Sequence, residues 1–135
     1  MYLFDTDVLS NVIKQKPSEM LIQKLQNTPK NLQFTSAINI GEIYYGANRS
    51  MRKNQILKAF DMYVFPNINV LPFDEECGRI FGKLKADLEK NCIGASEPDL
   101  RIASITMQSN LILITGNTKH FKNIPGLIFE NWINN

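Results

Sequence analysis

The chain is poor in features that would set it apart from an ordinary folded domain. Its two cysteines, Cys77 and Cys92, lack metal-ligand spacing. Cys77 falls on the apolar stripe of a helix and Cys92 near a turn, so both read as bystanders. The N-terminus has neither a basic start nor an apolar signal core, and no apolar run approaches the roughly 20 residues that cross a bilayer. No membrane association is expected, and the chain is assigned to the cytoplasm. A strong charge of either sign is also missing: 15 basic residues against 13 acidic ones give +2, too little to argue for a polyanion and too little to oppose one. Repeats, low-complexity tracts and linkers are absent. With 44% apolar and 21% charged residues, residues 1–135 read as one soluble domain long enough to bury a core.

What is present is an alternation of strand and helix. Tyr2–Phe4 is a short apolar run, and Thr6 or Asp7 can cap a helix over about 7–14, ahead of Pro17. Ser18 can cap a helix to about Asn27. Leu32–Thr35 reads as a second strand, and Ser36 as the cap of a helix in which Ile38, Ile43 and Ala47 recur at near-helical spacing, with Glu42 mid-helix. A helix over about 50–62, a strand over Val70–Phe73 and a long helix from Asp74 to about Lys90 follow; Cys77, Ile80, Phe81, Leu84 and Leu88 form the apolar face of the last. Pro98 suits the first turn of a helix reaching about Ser109. Leu111–Thr115 is a strand of the kind buried on both faces, and Ile128–Glu130 a short last strand. The pattern predicts an α/β fold with a parallel sheet wrapped by helices.

Acidic residues stand where the chain leaves these elements: Asp5 and Asp7 in LFDTDVLS, Glu42 in TSAINIGEIYYGA and Asp99 in GASEPDLRIA. Several such carboxylates converging would be costly without a cation, so a metal site is the economical reading. In parallel sheets ligands lie beyond the carboxyl ends of the strands, which selects Asp5 and the Thr115–Asn117 segment. Each acid also has a plain reading: Asp99 near a helix N-terminus is favoured by the dipole alone, Glu42 could be a solvated helix residue, and Asp7 could be a cap, which is the preferred reading for it. Thr6 and Thr115 could orient a carboxylate or water. His120, the one histidine, is either a packing residue or a phosphate contact. Arg49, Arg52, Lys53 and Lys58 form a basic stretch that is either a solvated face, an RNA contact or a dock for an acidic segment. Tyr44 and Tyr45 precede it and could stack on a base or pack on a partner.

The stretches LFDTDVLS, TSAINIGEIYYGA, EPDLRIAS and LILITGNTKHFKNIPGLIFENW, in that order and at these separations, resemble PIN-domain ribonucleases, specifically VapC-type toxins of toxin-antitoxin systems. The resemblance runs from near Tyr2 to Trp132 and is weakest between about 49 and 70. It implies a PIN-like three-layer α/β/α sandwich with a small parallel sheet. It further implies that Asp5, Glu42 and Asp99 occupy the acidic metal positions for Mg²⁺ or Mn²⁺, with Asn117 at a fourth position that is acidic in many relatives. Asp7, where the family often has Asn or Ser, is a further candidate ligand. The implied activity is endoribonuclease cleavage by a metal-activated water, leaving a 5′-phosphate and a 3′-hydroxyl. The implied partners are an RNA substrate, a cognate VapB-type antitoxin and a second copy in a homodimer.

Three alternatives stay open. One is a housekeeping PIN nuclease of RNA maturation. Another is a receiver-like Mg²⁺-binding domain, for which Asp74 would have to be the phosphoacceptor although it reads better as a helix cap. The third is a non-catalytic RNA-binding module.

Overall fold

Five short parallel strands make the centre of the molecule in a computed structural model that describes residues 1–134. They are β1 (Tyr2–Phe4), β2 (Gln33–Ser36), β3 (Asn69–Leu71), β4 (Ile112–Ile114) and β5 (Phe129–Glu130), in the order β3-β2-β1-β4-β5. In the central register Leu3 lies between Phe34 and Leu113. Around the strands run, among the described residues, seven α-helices: α1 (Thr6–Val12), α2 (Glu19–Gln26), α3 (Ala37–Arg49), α4 (Lys53–Tyr63), α5 (Glu75–Lys90), α6 (Glu97–Gln108) and α7 (Thr118–Phe121). None of these helices is long and apolar enough to cross a membrane.

Alternation along the strands divides the interior into two cores, because successive side chains leave a strand on opposite faces. Leu3 and Leu113 join Cys77, Leu84 and Leu88 of α5 and Leu100, Ile102 and Ile105 of α6 on one face. Phe4 and Ile114 join Val8 and Leu9 of α1, Leu21 of α2 and Phe60 of α4 on the other. The result is the predicted three-layer α/β/α arrangement. Helix α3 sends Ile38 toward the first core and Ile43 into the second, so it stands at the junction of the layers. Trp132 closes the second core, its ring 4.8 Å from Tyr2 and 5.6 Å from Phe4 between centroids.

The strand order carries the functional consequence. From β1 the chain steps outward to β2 and β3, then returns to the other side of β1 to place β4 and β5. The direction of winding therefore reverses between β1 and β4, and the crevice outside their carboxyl ends is where such sheets hold ligands.

Local signals account for most helix starts. Ser18, Ser36 and Asp74 each accept a hydrogen bond from the backbone N–H three residues on, as expected. Several boundaries differ from expectation. The first helix starts at Thr6, because Asp5, extended at φ −71°, is its cap. The third strand ends at Leu71, ahead of Pro72, whose missing N–H cannot continue a ladder. The fourth helix starts at Lys53, since Ser50 ends α3. Helix α7 was not anticipated; four residues are too few to show a helical period.

Candidate active site

Asp5 is the pivot of the crevice. Its N–H extends the β1–β4 ladder by donating to the Ile114 carbonyl at 2.9 Å, which fixes the residue at the carboxyl end of β1. The side chain is only 6% exposed. Its Oδ1 accepts from Thr6 N–H at 2.8 Å and from Asn39 Nδ2 at 3.0 Å, and Oδ2 accepts from the Thr115 hydroxyl at 2.8 Å. Every donor is neutral. Burial dominates and raises the carboxyl pKa to about 6, the Thr115 hydrogen bond opposes it, and the nearby charges of Asp7 and Glu42 push further up.

Asn39 links Asp5 to Glu42. It is fully buried, and its amide donates to both Asp5 Oδ1 and Thr6 Oγ1 at 3.0 Å. The Ser36 hydroxyl donates to its Oδ1, so the amide cannot turn. Thr6 in turn donates to Glu42 Oε1 at 2.7 Å. The expected orienting roles of Thr6 and Thr115 are thus matched by contacts, whereas Asn39 was missed. The signal lay in the spacing: Asn39 and Glu42 are three residues apart on α3 and share a helix face.

Asp99 comes from the first turn of α6, which Ser96 caps by accepting from Asp99 N–H at 3.2 Å. One carboxylate oxygen, Oδ2, lies 3.4 Å from His120 Nδ1, and the two side chains are 18% and 59% exposed. His120 is therefore not a packing residue; its neighbour Phe121 fills the core instead.

Asp7 does not cap its helix, contrary to the preferred sequence reading. Its Oδ2 accepts from Gly116 N–H at 2.8 Å across the crevice, and its Oδ1 is buried with no hydrogen-bond partner. Burial raises its pKa, with the Gly116 N–H the largest opposing effect. Gly116 permits the approach, since a Cβ there would sit 2.7 Å from Asp7 Oδ2. Asn117 donates its N–H to Thr115 Oγ1 at 3.0 Å, and its side chain caps nothing.

Asp5, Thr6, Asp7, Glu42, Asp99, Asn117 and His120 line one cleft of about 260 Å³, with Thr115 behind Asp5. Tertiary folding thus brings the whole predicted set together. Among the described residues no lysine or arginine forms an ion pair with Asp5, Asp7, Glu42 or Asp99.

A divalent metal can be tested against this donor set. Among the described residues, no three acidic, histidine or cysteine side chains are drawn tightly enough to enclose an ion. The cleft offers open oxygen chemistry instead, including an orphaned buried carboxylate oxygen on Asp7. Mg²⁺ typically takes one or two protein carboxylates and keeps several waters, so the donors fit a hard, partly hydrated cation and not a sulfur- or imidazole-rich zinc site.

Other candidates separate from the cleft. Asp74 caps α5 by accepting from Cys77 N–H at 3.0 Å, which removes the phosphoacceptor of a receiver-like reading. Arg49, Arg52, Lys53 and Lys58 are exposed. Arg49 rests on the Tyr45 ring, 5.3 Å from its centroid, and Tyr44 and Tyr45 are exposed as well.

A family model described as "PIN domain" matches residues 2–127. Ribonuclease VapC2 of Rickettsia felis is 32% identical over 98% of both chains. Ribonuclease VapC2 of Haemophilus influenzae is 30% identical over 98% of both. Among solved structures, VapBC2 from Rickettsia felis, crystallised with a DNA fragment from its promoter, superposes with a TM-score of 0.89 at 31% identity, covering 97% of this chain and 98% of that one.

Proposed function

The chain belongs to the PIN domain family, and on that premise we propose that it is a cytoplasmic endoribonuclease, the toxin half of a toxin-antitoxin pair, restrained by a VapB-type antitoxin. The observation that carries the reading is the cleft at the β1–β4 reversal, where Asp5 and Glu42 are held in direction by neutral donors and, among the described residues, no lysine or arginine pairs with any of its acids. A structural ion-pair network would match each acid with a cation, whereas here four acids have only the His120 imidazole, beside Asp99.

Asp5, Glu42 and Asp99 would hold Mg²⁺ or Mn²⁺, with Asp7 and Asn117 as further oxygen donors at the cleft wall. Bound there, such an ion lowers the pKa of water and offsets charge that develops on the phosphate. The protein's own contribution is alignment. Thr115 and Asn39 fix the two oxygens of Asp5. Thr6 fixes Glu42, and His120 beside Asp99 stands exposed where a phosphate would arrive. Holding these groups before RNA binds removes reorganisation from the reaction.

The test joins cell growth to purified activity. Expression of the chain alone should arrest growth, co-expression of the cognate antitoxin should relieve the arrest, and the purified chain should cleave RNA only with Mg²⁺ or Mn²⁺. Asp5→Asn should abolish cleavage. Cleavage persisting in excess chelator would overturn the metal reading, and harmless expression of a chain that cleaves RNA freely in vitro would favour a housekeeping nuclease.

A further inference from the structure

Beside the acidic cleft lies a second cavity, larger at about 380 Å³. Ser96, Asp99 and His120 line both, so the two share a wall. Their chemistry differs. The second cavity has an aliphatic side built from Leu88, Ile93 and Ile124, and it adds Asn123 and the cation Lys119. We infer that it is a subsite for one unstacked nucleobase of the RNA, on a nucleotide flanking the scissile phosphate; this rests on the nuclease reading above.

Three observations lead there. First, the wall is preformed by backbone. The C-terminus of α5 closes with Cys92 at φ 57°, Cys92 N–H donating to the Glu89 carbonyl at 3.1 Å and Ile93 N–H to the Leu88 carbonyl at 2.8 Å. This paired closure brings the residue after the left-handed one back against the last turn, which sets Ile93 beside Leu88. Ser96 then caps α6 and holds the far end of the loop. Second, the charge distribution suits a nucleotide chain. The cleft repels phosphate unless a cation is bound, whereas the second cavity carries the cation Lys119, with the His120 imidazole on the wall between the two. Third, the composition suits a base: an aliphatic surface and an imidazole for its faces, and the Asn123 amide, both donor and acceptor, for an edge. A cavity of this size is within the range of small-ligand sites. The other large cavity, about 450 Å³ on the opposite sheet face, shares no lining residue with the cleft and so cannot present a base to it.

The test is a cycle between protein and substrate. Gly94 lines the cavity, and a Cβ there meets no heavy atom within 4 Å, so the backbone accepts a side chain and Gly94→Leu adds bulk at the cavity wall. Short single-stranded oligoribonucleotides that the chain cleaves are compared with versions carrying one abasic residue at each position flanking the cut. For the native chain, one position should lose at least about tenfold in kcat/KM when abasic. In Gly94→Leu the intact substrate should fall to that level while the abasic one is cleaved at the native rate. Asn123→Ala gives the same cycle by removing the edge contact, and stands in if the leucine variant does not fold. Equal rates for native and variant chains on both substrates, or an equal slowing on both, would overturn the subsite. So would variants that cleave normally but no longer bind the antitoxin, which would assign the cavity to that protein instead. A native chain that cleaves no RNA would remove the nuclease reading and the subsite with it, whereas normal cleavage with a flat cycle removes the subsite alone.

Discussion

On the outer face of α5, Glu75 and Glu76 converge on the guanidinium of Arg79, and Lys83 meets Asp87 at 2.9 Å. In the cleft, Asp5 and Glu42 meet only hydroxyls, an amide and a backbone N–H. The same side-chain chemistry serves opposite ends. On α5 the acids are exposed and matched by charge, an arrangement that contributes at most about 1 kcal/mol per pair and can be lost without consequence. In the cleft a neutral donor fixes the direction of a carboxylate without cancelling its charge. What stability forgoes there remains available to a cation.

The largest effect that could break this contrast is on activity. If the proposed metal is held there, Asp99→Asn and Glu42→Gln should each lower kcat/KM on RNA by a factor on the order of 10³, since a catalytic metal is worth several kcal/mol. Glu76→Gln on α5 should leave the rate unchanged. Circular dichroism checks that the variants fold, and a loss below tenfold in both cleft variants would erase the distinction.

Asn39→Ala tests whether orientation matters apart from charge. It removes the donor to Asp5 and to Thr6 while leaving every carboxylate in place. Loss of such a supporting contact typically costs 10- to 100-fold in metal affinity or activity, so about that drop is expected in manganese titration and in rate.

A pH titration of the metal-free protein sharpens the comparison on stability. Asp5 has a carboxyl raised to about 6 from 3.8, so between these values the folded protein binds more protons than the unfolded chain. Stability must therefore fall as pH rises through that window, by up to about 3 kcal/mol, and level off above it. Asp5→Asn should flatten this slope and raise the melting temperature at pH 7. Glu97, held below its usual value by the Lys85 ammonium, acts in the opposite sense: its contribution is present at neutral pH and lost as pH falls through the acidic range. The same pH dependence of melting temperature for the native protein and Asp5→Asn between 4 and 7 would contradict the raised Asp5 carboxyl.

Two smaller effects complete the series. Gly116→Ala forces a methyl against Asp7 Oδ2 and should cost about 1–3 kcal/mol by overpacking, read from denaturant midpoints. Arg79→Ala, which strips Glu75 and Glu76 of their partner, should change stability by less than about 1 kcal/mol.

Much of this was legible along the chain because it is local. Ser18, Ser36 and Asp74 cap helices through bonds spanning three residues, and the Cys77–Leu88 stripe repeats within one helix. Acids after an apolar strand mark the strand's end wherever it lies, and the alternation of strand and helix implies a parallel sheet by itself. Local signals faltered where they were short or ambiguous. Helix α7 has one turn, and Asp5 and Asp7 are equally good caps by residue type.

Tertiary structure alone decided the rest. That β4 lies beside β1 is what makes the cleft, and the bond from Thr115 to Asp5 spans 110 positions of sequence. Asp7 faces Gly116 across 109. No period in the sequence encodes such pairings, because they depend on which strands share an edge and on which side each crossover falls. Residue type and neighbour spacing determined that this chain carries acids at the end of β1, in the first turn of α6 and in the middle of α3. Only the order of the strands determined that those acids meet, with neutral donors on Asp5 and Glu42 and, among the described residues, no lysine or arginine paired to any of them.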